Sequence, residues 1–321
     1  MTEMKRFIGK VLIFLLIISI VCGGISAFDF FVVGSQYKYS YQAALIDKVN
    51  RLESINEPKI ILVGHSNLAF GIDSQRLEET MGMPVVNMGL HGGLGNAFHE
   101  ETAKFSINKG DIVVVCHSTY SDSDQIDDRA LAWITIDNHV KMGSLIRRKD
   151  FLPMLAAYPD YVKNALFLKL THGGNKDTGG CYARSSFNAY GDVVVRPEDV
   201  QVDVQKYFSD PANAIHVPKI NGTCVNRLNE YNEYITERGA SMVVAGFPIA
   251  FGEYASFDRE DFIAFQEELQ KALHCPVISD YTDYFYPYEL FYNTTMHLTE
   301  EGAEIRTDQL ISDLKNWLSQ S

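Results

Sequence analysis

The chain combines 321 residues with a formal net charge of −13 and an apolar fraction of 46%. The apolar fraction is ordinary for a globular protein with a buried core, and the length fits one large domain or two small ones. The negative charge argues against nucleic-acid binding, because a phosphate backbone attracts clustered Lys and Arg side chains. An acidic domain of this kind is expected to act on a small molecule or a neutral glycan.

The first predicted element is a membrane-spanning helix. Three basic residues precede Val11–Phe28, a run without a charged side chain, and the apolar character continues to Val33. This run has roughly the length that a helix needs to cross a bilayer, and its basic flank is expected to stay in the cytoplasm. A cleaved signal peptide is the alternative, although Ile25-Ser26-Ala27 is a mediocre cleavage site. We therefore expect residues 1–34 to form a cytoplasmic stub and signal-anchor, and residues 35–321 to form an exported domain.

Short apolar strands alternate with helical segments after the anchor. The predicted strands are Lys59–Val63, Pro84–Asn87, Asp111–Cys116, Ser241–Gly246 and Pro276–Ser279, and the predicted helices are Tyr41–Leu52, Ser74–Met81, Asn96–Asn108, Ile220–Glu237, Arg259–Leu273 and Glu300–Leu318. This alternation predicts an α/β fold, with a parallel sheet covered on both faces and a ligand site beyond the carboxyl ends of its strands.

A long segment, about residues 120–218, interrupts the alternation and is far longer than an ordinary connection. Parts of it have helical patterns, at Leu131–Met142 and Phe151–Leu170, and His172–Gly180 is rich in Gly and Asn. We interpret the segment as an insertion. It either caps the site or elaborates the structure without contact to substrate, and the sequence favours neither reading.

Ser66 directly follows the first predicted strand, within Gly64-His65-Ser66-Asn67. A serine on a tight turn at the carboxyl end of a parallel strand is well placed to act as a nucleophile. His297 lies near the other end of the chain, with the polar Asn293 one helical turn before it. A serine and a histidine that meet at one edge of the sheet provide the components of hydroxyl-nucleophile catalysis.

Glycine follows the second predicted strand, where Asn87-Met88-Gly89 opens a Gly-rich loop. Glycines there allow the backbone to approach a ligand closely and to direct N–H groups at it. The backbone amides of Ser66 and Gly89 are therefore candidates for an oxyanion hole.

These residues carry a family resemblance. Gly64-His65-Ser66, then Gly89 after Asn87, and finally His297-Leu298 followed by Gly302 resemble the first, second and last blocks of the SGNH (GDSL-like) hydrolase superfamily. With the predicted anchor, the chain is most similar to the membrane-anchored branch, which includes teichoic-acid D-alanylation and glycan O-acetylation proteins. The resemblance implies a flavodoxin-like three-layer α/β/α fold, Ser66 as nucleophile, His297 as general base, and an oxyanion hole at Ser66 and Gly89.

The chain departs from the superfamily pattern at two places. His117-Ser118-Thr119-Tyr120 replaces the block that supplies a third oxyanion donor, so that donor is unassigned. The aspartate that accompanies the catalytic histidine is replaced by Asn293 or Thr294. A neutral partner can still fix the imidazole tautomer but stabilises the imidazolium less. Either hydrolysis is slower than with a full triad, or another acid, such as Asp280 or Asp283, takes part.

Other interpretations of the same residues were weighed. Gly64-His65-Ser66-Asn67-Leu68 also resembles an α/β-hydrolase nucleophile elbow, but that motif has glycine where Leu68 stands. His65, His91 and His117 each follow a predicted strand, which is one way to build a metal site. Because paired carboxylates are absent from these points, we expect neither a metal nor a cofactor.

The sequence supports two functional hypotheses. In the first, an exported, membrane-anchored enzyme uses Ser66 to transfer or release a small acyl group, most simply acetyl, on a cell-surface glycan. In the second, the domain is a non-catalytic scaffold or glycan-binding partner of a membrane-bound O-acyltransferase. Asn293 in place of an acid favours the second hypothesis, whereas the pattern of Ser66, Gly89 and His297 favours the first.

Overall fold

The computed structural model describes residues 2–121, 125–137, 139–172, 177 and 179–320. In these residues the α-helices are α1 (Thr2–Phe28), α2 (Ala44–Ser54), α3 (Ser66–Ala69), α4 (Ser74–Met81), α5 (Asn96–Ala103), α6 (Arg129–Asp137), α7 (Phe151–His172), α8 (Val204–Ser209), α9 (Gly222–Thr236), α10 (Arg259–Ala272) and α11 (Glu300–Leu318). The strands are β1 (Ile60–Gly64), β2 (Val85–Asn87), β3 (Ile112–Cys116), β4 (Ser241–Val244), β5 (Ile249–Ala250), β6 (Phe285–Tyr286), β7 (Phe291–Thr294) and β8 (His297–Leu298).

A parallel sheet of four strands, in the order β2-β1-β3-β4, forms the centre of the molecule. β1 pairs with β3 along its whole length, from Ile60 opposite Ile112 to Gly64 opposite Cys116. Both strands are continuous apolar runs and every residue in them is buried, as expected for a parallel sheet with covered faces. The predicted α/β class and parallel sheet are confirmed.

Alternate residues of the strands pack into two separate apolar clusters. Ile61 and Val63 of β1 belong to a cluster that includes side chains from α2, α5, α9 and α10. Ile60 and Leu62 belong to a second cluster with side chains from α4 and α11. This division follows from the two-residue period of a strand, which directs successive side chains to opposite faces.

Helix boundaries follow local capping chemistry. Asp73 accepts a hydrogen bond from the Arg76 amide at the start of α4, and Gly82 ends that helix with φ 65°, a conformation that glycine adopts without strain. Thr299 accepts from the Gly302 amide and begins α11. Both helices have the bounds that the sequence predicts, because their capping residues are recognisable.

Several predicted elements end earlier than expected, among them β4 at Val244 and α6 at Asp137. The helix predicted over Asn96–Asn108 ends at Ala103, and a turn in which the Ser106 amide donates to the Ala103 carbonyl follows it. The strand predicted at Pro276–Ser279 forms only an isolated parallel bridge between Val277 and Val244. Short chain segments next to a sheet edge take the pairing that tertiary packing allows, which local sequence does not encode.

One helix in the described residues, spanning Glu3–Val33, is long and apolar enough to cross a membrane, and none of its most apolar window is buried. None of the five cysteines, all of which lie in the described part of the chain, forms a disulfide. Cys116 is fully buried, as the sequence predicts.

Candidate active site

The tight turn between β1 and α3 presents Ser66. β1 ends at Gly64, His65 is extended, and Ser66 is the first residue of α3. Gly64 is required here because a Cβ atom would lie 2.8 Å from the carbonyl oxygen of Cys116 on β3. The close approach of the two strands therefore fixes the direction in which the chain leaves the sheet, and with it the position of Ser66.

Ser66, His297 and Asn293 form a continuous hydrogen-bonded chain. The Nε2 atom of His297 lies 2.8 Å from Ser66 Oγ, and its Nδ1 atom lies 2.7 Å from Asn293 Oδ1. Because an amide oxygen can only accept, Nδ1 carries the proton and donates to Asn293, which leaves Nε2 unprotonated and facing the serine hydroxyl. This is the tautomer that a general base requires.

The hairpin of β7 and β8 brings His297 and Asn293 together. Thr294 pairs with His297 across the hairpin, and its hydroxyl accepts hydrogen bonds from the Met296 and His297 amides. Thr294, the other residue considered as the histidine's partner, thus shapes the turn. Asp280, one of the two alternative acids, accepts instead from the amide and hydroxyl of Thr282.

His297 is buried in an apolar environment. Its ring stacks on Phe70, with centroids 4.0 Å apart and planes 7° from parallel, and the residue is only 5% exposed. Burial, reinforced by the positive charges of His91 and Arg196, lowers the pKa of His297 from 6.5 to about 3. The imidazole is therefore neutral at neutral pH and able to accept a proton.

The insertion reaches the site through Tyr182. The Nδ2 atom of Asn293 donates to the Tyr182 hydroxyl at 3.1 Å, which orients the amide so that its oxygen faces His297. Burial raises the pKa of Tyr182, so its hydroxyl stays protonated. Sequence reasoning missed both Tyr182 and Phe70. Phe70 lies four residues after Ser66 at the end of α3, a spacing that could have suggested contact on one helix face.

Gly89 lies directly beneath the turn that carries Ser66. A Cβ atom at this position would lie 2.7 Å from the His65 carbonyl oxygen and 2.8 Å from the Ala69 amide nitrogen. The Gly89 amide donates to Asn87 Oδ1 at 2.9 Å. To bind an oxyanion, this amide would have to exchange Asn87 Oδ1 for the oxyanion as its acceptor. The oxyanion role of Gly89 and of the Ser66 amide stays a prediction.

A cluster of histidines, in which His99 and His117 are buried and His65 is partly exposed, lies behind the turn. The ring centroid of His65 is 5.1 Å from that of His99 and 5.6 Å from that of His117. His117 Nε2 lies 3.1 Å from one oxygen of Glu100, and Arg227 donates to the other oxygen at 2.9 Å. Burial and the neighbouring His117 lower the pKa of His65 to about 3.

Of the three histidines that follow strands, two join this cluster and one does not. His91 is exposed, and its Nδ1 accepts from the Gly93 amide at 3.0 Å. Within the described ranges, no group of His, Cys, Asp or Glu side chains has an arrangement that could hold a metal ion. His99 and His117 thus lie against the ring of His65, the residue that precedes Ser66.

Comparison with protein-family models gives no match to this chain. A search of curated proteins gives no match either.

Proposed function

We propose that this protein is a serine-dependent acyl esterase or acyltransferase of the SGNH type, which acts on a cell-surface glycan through an acyl-Ser66 intermediate. The observation that carries the proposal is the 2.8 Å separation of Ser66 Oγ and His297 Nε2, with His297 Nδ1 2.7 Å from Asn293 Oδ1. A nucleophile hydrogen-bonded to a base, and a base oriented by a third group, are the features that define covalent catalysis by a hydroxyl.

The reaction would proceed in two half-reactions. Ser66 Oγ attacks the ester carbonyl carbon while its proton moves to His297 Nε2, and the carbonyl becomes a tetrahedral oxyanion. When the oxyanion collapses, the bond to the leaving alcohol breaks, and His297 returns the proton to that alcohol. His297 then takes a proton from water or a sugar hydroxyl, whose oxygen attacks the acyl carbon of acyl-Ser66. The bond between that carbon and Ser66 Oγ breaks, His297 returns the proton to Ser66 Oγ, and an acid or a new ester is released.

The fold and the apolar helix α1 support the family assignment. The order β2-β1-β3-β4 is that of the first four strands of a flavodoxin-like sheet, and the parallel bridge of Val277 with Val244 occupies the fifth position. We propose the three-layer flavodoxin-like arrangement on this basis. With α1 as a signal-anchor, the basic N-terminal flank favours an extracytoplasmic catalytic domain, where cell-surface glycans are the available acyl acceptors.

The test uses a fluorophosphonate probe, which reacts covalently with activated serines. The full-length wild type should be labelled, and Ser66→Ala should lose labelling to background, because its nucleophilic oxygen is gone. Ser118→Ala is the matched control, since Ser118 lies at the same sheet edge, with its Oγ 3.4 Å from His65 Nδ1. Equal labelling of Ser66→Ala and wild type would refute the proposal.

A second candidate is the non-catalytic scaffold or glycan-binding partner of a membrane-bound O-acyltransferase. The neutral Asn293 favours it, because no negative charge stabilises an imidazolium at His297. This function predicts that Ser66→Ala retains glycan acylation in cells, while deletion of Val11–Phe28 abolishes it. The enzyme predicts loss of glycan acylation or deacylation with Ser66→Ala alone.

A further inference from the structure

Helix α7 in the insertion exposes an apolar face. Leu152, Phe167 and Leu170 are 73%, 63% and 74% exposed, and Pro159 is exposed as well. Because a helix repeats every 3.6 residues, these four positions and Leu166 lie on one side of α7. We call Leu152, Pro159, Leu166, Phe167 and Leu170 the α7 apolar face.

This face is continuous with the apolar surface of α1. A groove of about 460 Å³ runs between the two helices. Its walls are Ile20, Val21, Gly24, Ile25 and Phe28 of α1 and Pro159, Val162, Lys163 and Leu166 of α7. The α1 wall belongs to the run that is apolar enough to cross a membrane. Acyl chains that surround α1 at this level would therefore contact α7, because water is excluded from an apolar groove beside hydrocarbon.

Polar contacts fix α7 at the C-terminal end of α1. The Tyr158 hydroxyl donates to Asp29 Oδ2 at 2.6 Å, and Lys169 Nζ donates to the Val33 carbonyl at 3.2 Å. Trp133 stacks beside Tyr158 and Tyr161, with centroids 4.7 and 6.0 Å away. Trp and Tyr side chains concentrate where a membrane-spanning helix leaves the hydrocarbon core, and the half-buried Trp133 and Tyr158 lie beside the C-terminal end of α1.

Basic side chains accompany the apolar face. Exposed Arg148 and Lys149 lie two to three positions before the 57% exposed Phe151, and the exposed Lys163 lies on α7 among the residues of the apolar face. Long basic side chains extend their charge to headgroups while their methylenes stay in the apolar layer. A helix with an apolar face bordered by basic residues is typical of elements that lie in the membrane interface.

We propose that α7 is a second membrane contact, which lies with its apolar face in the outer interface of the bilayer that α1 spans. The occupant of the face is lipid, with acyl chains in the groove and headgroups beside the basic residues. The protein would then attach to the membrane by two elements, so that the exported domain keeps one orientation toward the bilayer.

The experiment measures the depth of single nitroxide labels on the full-length chain in vesicles of phosphatidylcholine and phosphatidylglycerol. Cys22→Ser removes the one native thiol that is not buried. Leu170→Cys reports on the α7 apolar face, Leu16→Cys reports on insertion of α1, and Ile263→Cys on α10, where the native side chain is 43% exposed, is the matched water-facing control. Each label's collision rate is measured with oxygen, which concentrates in lipid, and with an aqueous nickel chelate.

Labels at positions 16 and 170 should both collide more often with oxygen than with the nickel chelate, and the label at 263 should show the reverse ratio. Water-like ratios at 170 with lipid-like ratios at 16 would overturn the proposal, and the face would then be a docking site for a protein. Water-like ratios at both positions would overturn it too, because α1 would not be inserted.

Discussion

His297 meets a neutral amide at the place where a carboxylate would supply charge. The hydrogen bond to Asn293 fixes the tautomer, and the stacked ring of Phe70 excludes water from one face. The arrangement gives a base that is unprotonated over most of the pH range and an imidazolium that is weakly stabilised. Both properties follow from single side chains and can be tested by single substitutions.

Asn293→Asp should raise the pKa of His297, because a carboxylate stabilises the imidazolium and Tyr182 can donate to it. For the wild type, kcat/KM should stay on its plateau well below pH 6.5, since the pKa of His297 is lowered to about 3. In the variant the acid limb of the pH–rate profile should move to higher pH, and kcat should rise on the order of tenfold. The measurement is the pH–rate profile with a small aryl acetate ester.

Asn293→Gln controls for disturbance of the site, because it keeps an uncharged amide but displaces the oxygen by one methylene. It should lower kcat without moving the acid limb upward. An acid limb at the same pH in wild type and Asn293→Asp would show that residue 293 does not act on His297.

The hydrogen-bonded chain itself was predictable from sequence, but its surroundings were not. Ser66, His297 and Asn293 were identified because a strand-end serine and a histidine next to the last helix are recognisable motifs. Tyr182 lies in a part of the insertion that has no helical pattern, and its contact with Asn293 spans 111 positions. No local signal encodes such a contact, because it depends on how the insertion packs.

At the scale of elements, the site depends on the packing of one loop against one short helix. The loop after β2 places Gly89 against the backbone of α3, the four-residue helix that Ser66 begins. A helix this short has almost no stability of its own, since most helical stability comes from packing. The loop therefore holds Ser66 in position.

Gly89→Ala should destabilise the fold by about 1–3 kcal/mol and lower kcat, because its Cβ would overlap the backbone of α3. Gly92→Ala in the same loop is the matched control, since its Cβ would find only ordinary contacts, 3.7–3.8 Å from the His65 side chain. Urea unfolding and esterase assays measure the two effects. Equal stability of the two variants would contradict the packing role of Gly89.

Element prediction succeeded where capping residues or long patterns exist. α4 and α11 have the predicted bounds because Asp73 and Thr299 cap them. The pairs β5–β6 and β7–β8 were not predicted, because strands of two to four residues carry too little pattern. The hairpin that positions His297 is one of these pairs.

At the scale of the molecule, buried ionisable groups make the stability of the fold depend on pH. Burial lowers the pKa of His99 and His297, which are 0% and 5% exposed, below 6.5. In the unfolded chain both protonate near their ordinary pKa, so the folded state binds fewer protons below about pH 6.5. Their contribution to stability is therefore present at neutral pH and is lost as the pH falls.

The free energy of unfolding should decrease on acidification from pH 7.5 to 5.5, with each histidine contributing up to about 1.4 kcal/mol per pH unit below its unfolded pKa. Asp192 and Asp313, whose pKa burial raises, act in the opposite direction. A comparison of the wild type with His99→Gln therefore isolates the contribution of His99. The free energy of unfolding of the variant should fall less over the same pH interval. The measurement is urea unfolding of both proteins in detergent at each pH. The same pH dependence in both proteins would contradict this account.

The pairing of Ser66 with His297 spans 231 positions, and α11 adds a second link, because Arg306 donates to the Asn67 carbonyl at 2.5 Å. Under the proposed function, a chain exported from its N-terminus would therefore emerge with an unreactive Ser66. The Ser66 hydroxyl would gain its proton acceptor only after His297 had also been exported and α11 had packed against the turn that carries Ser66. Molecules that lack this C-terminal segment would keep the anchor without the proposed activity toward esters.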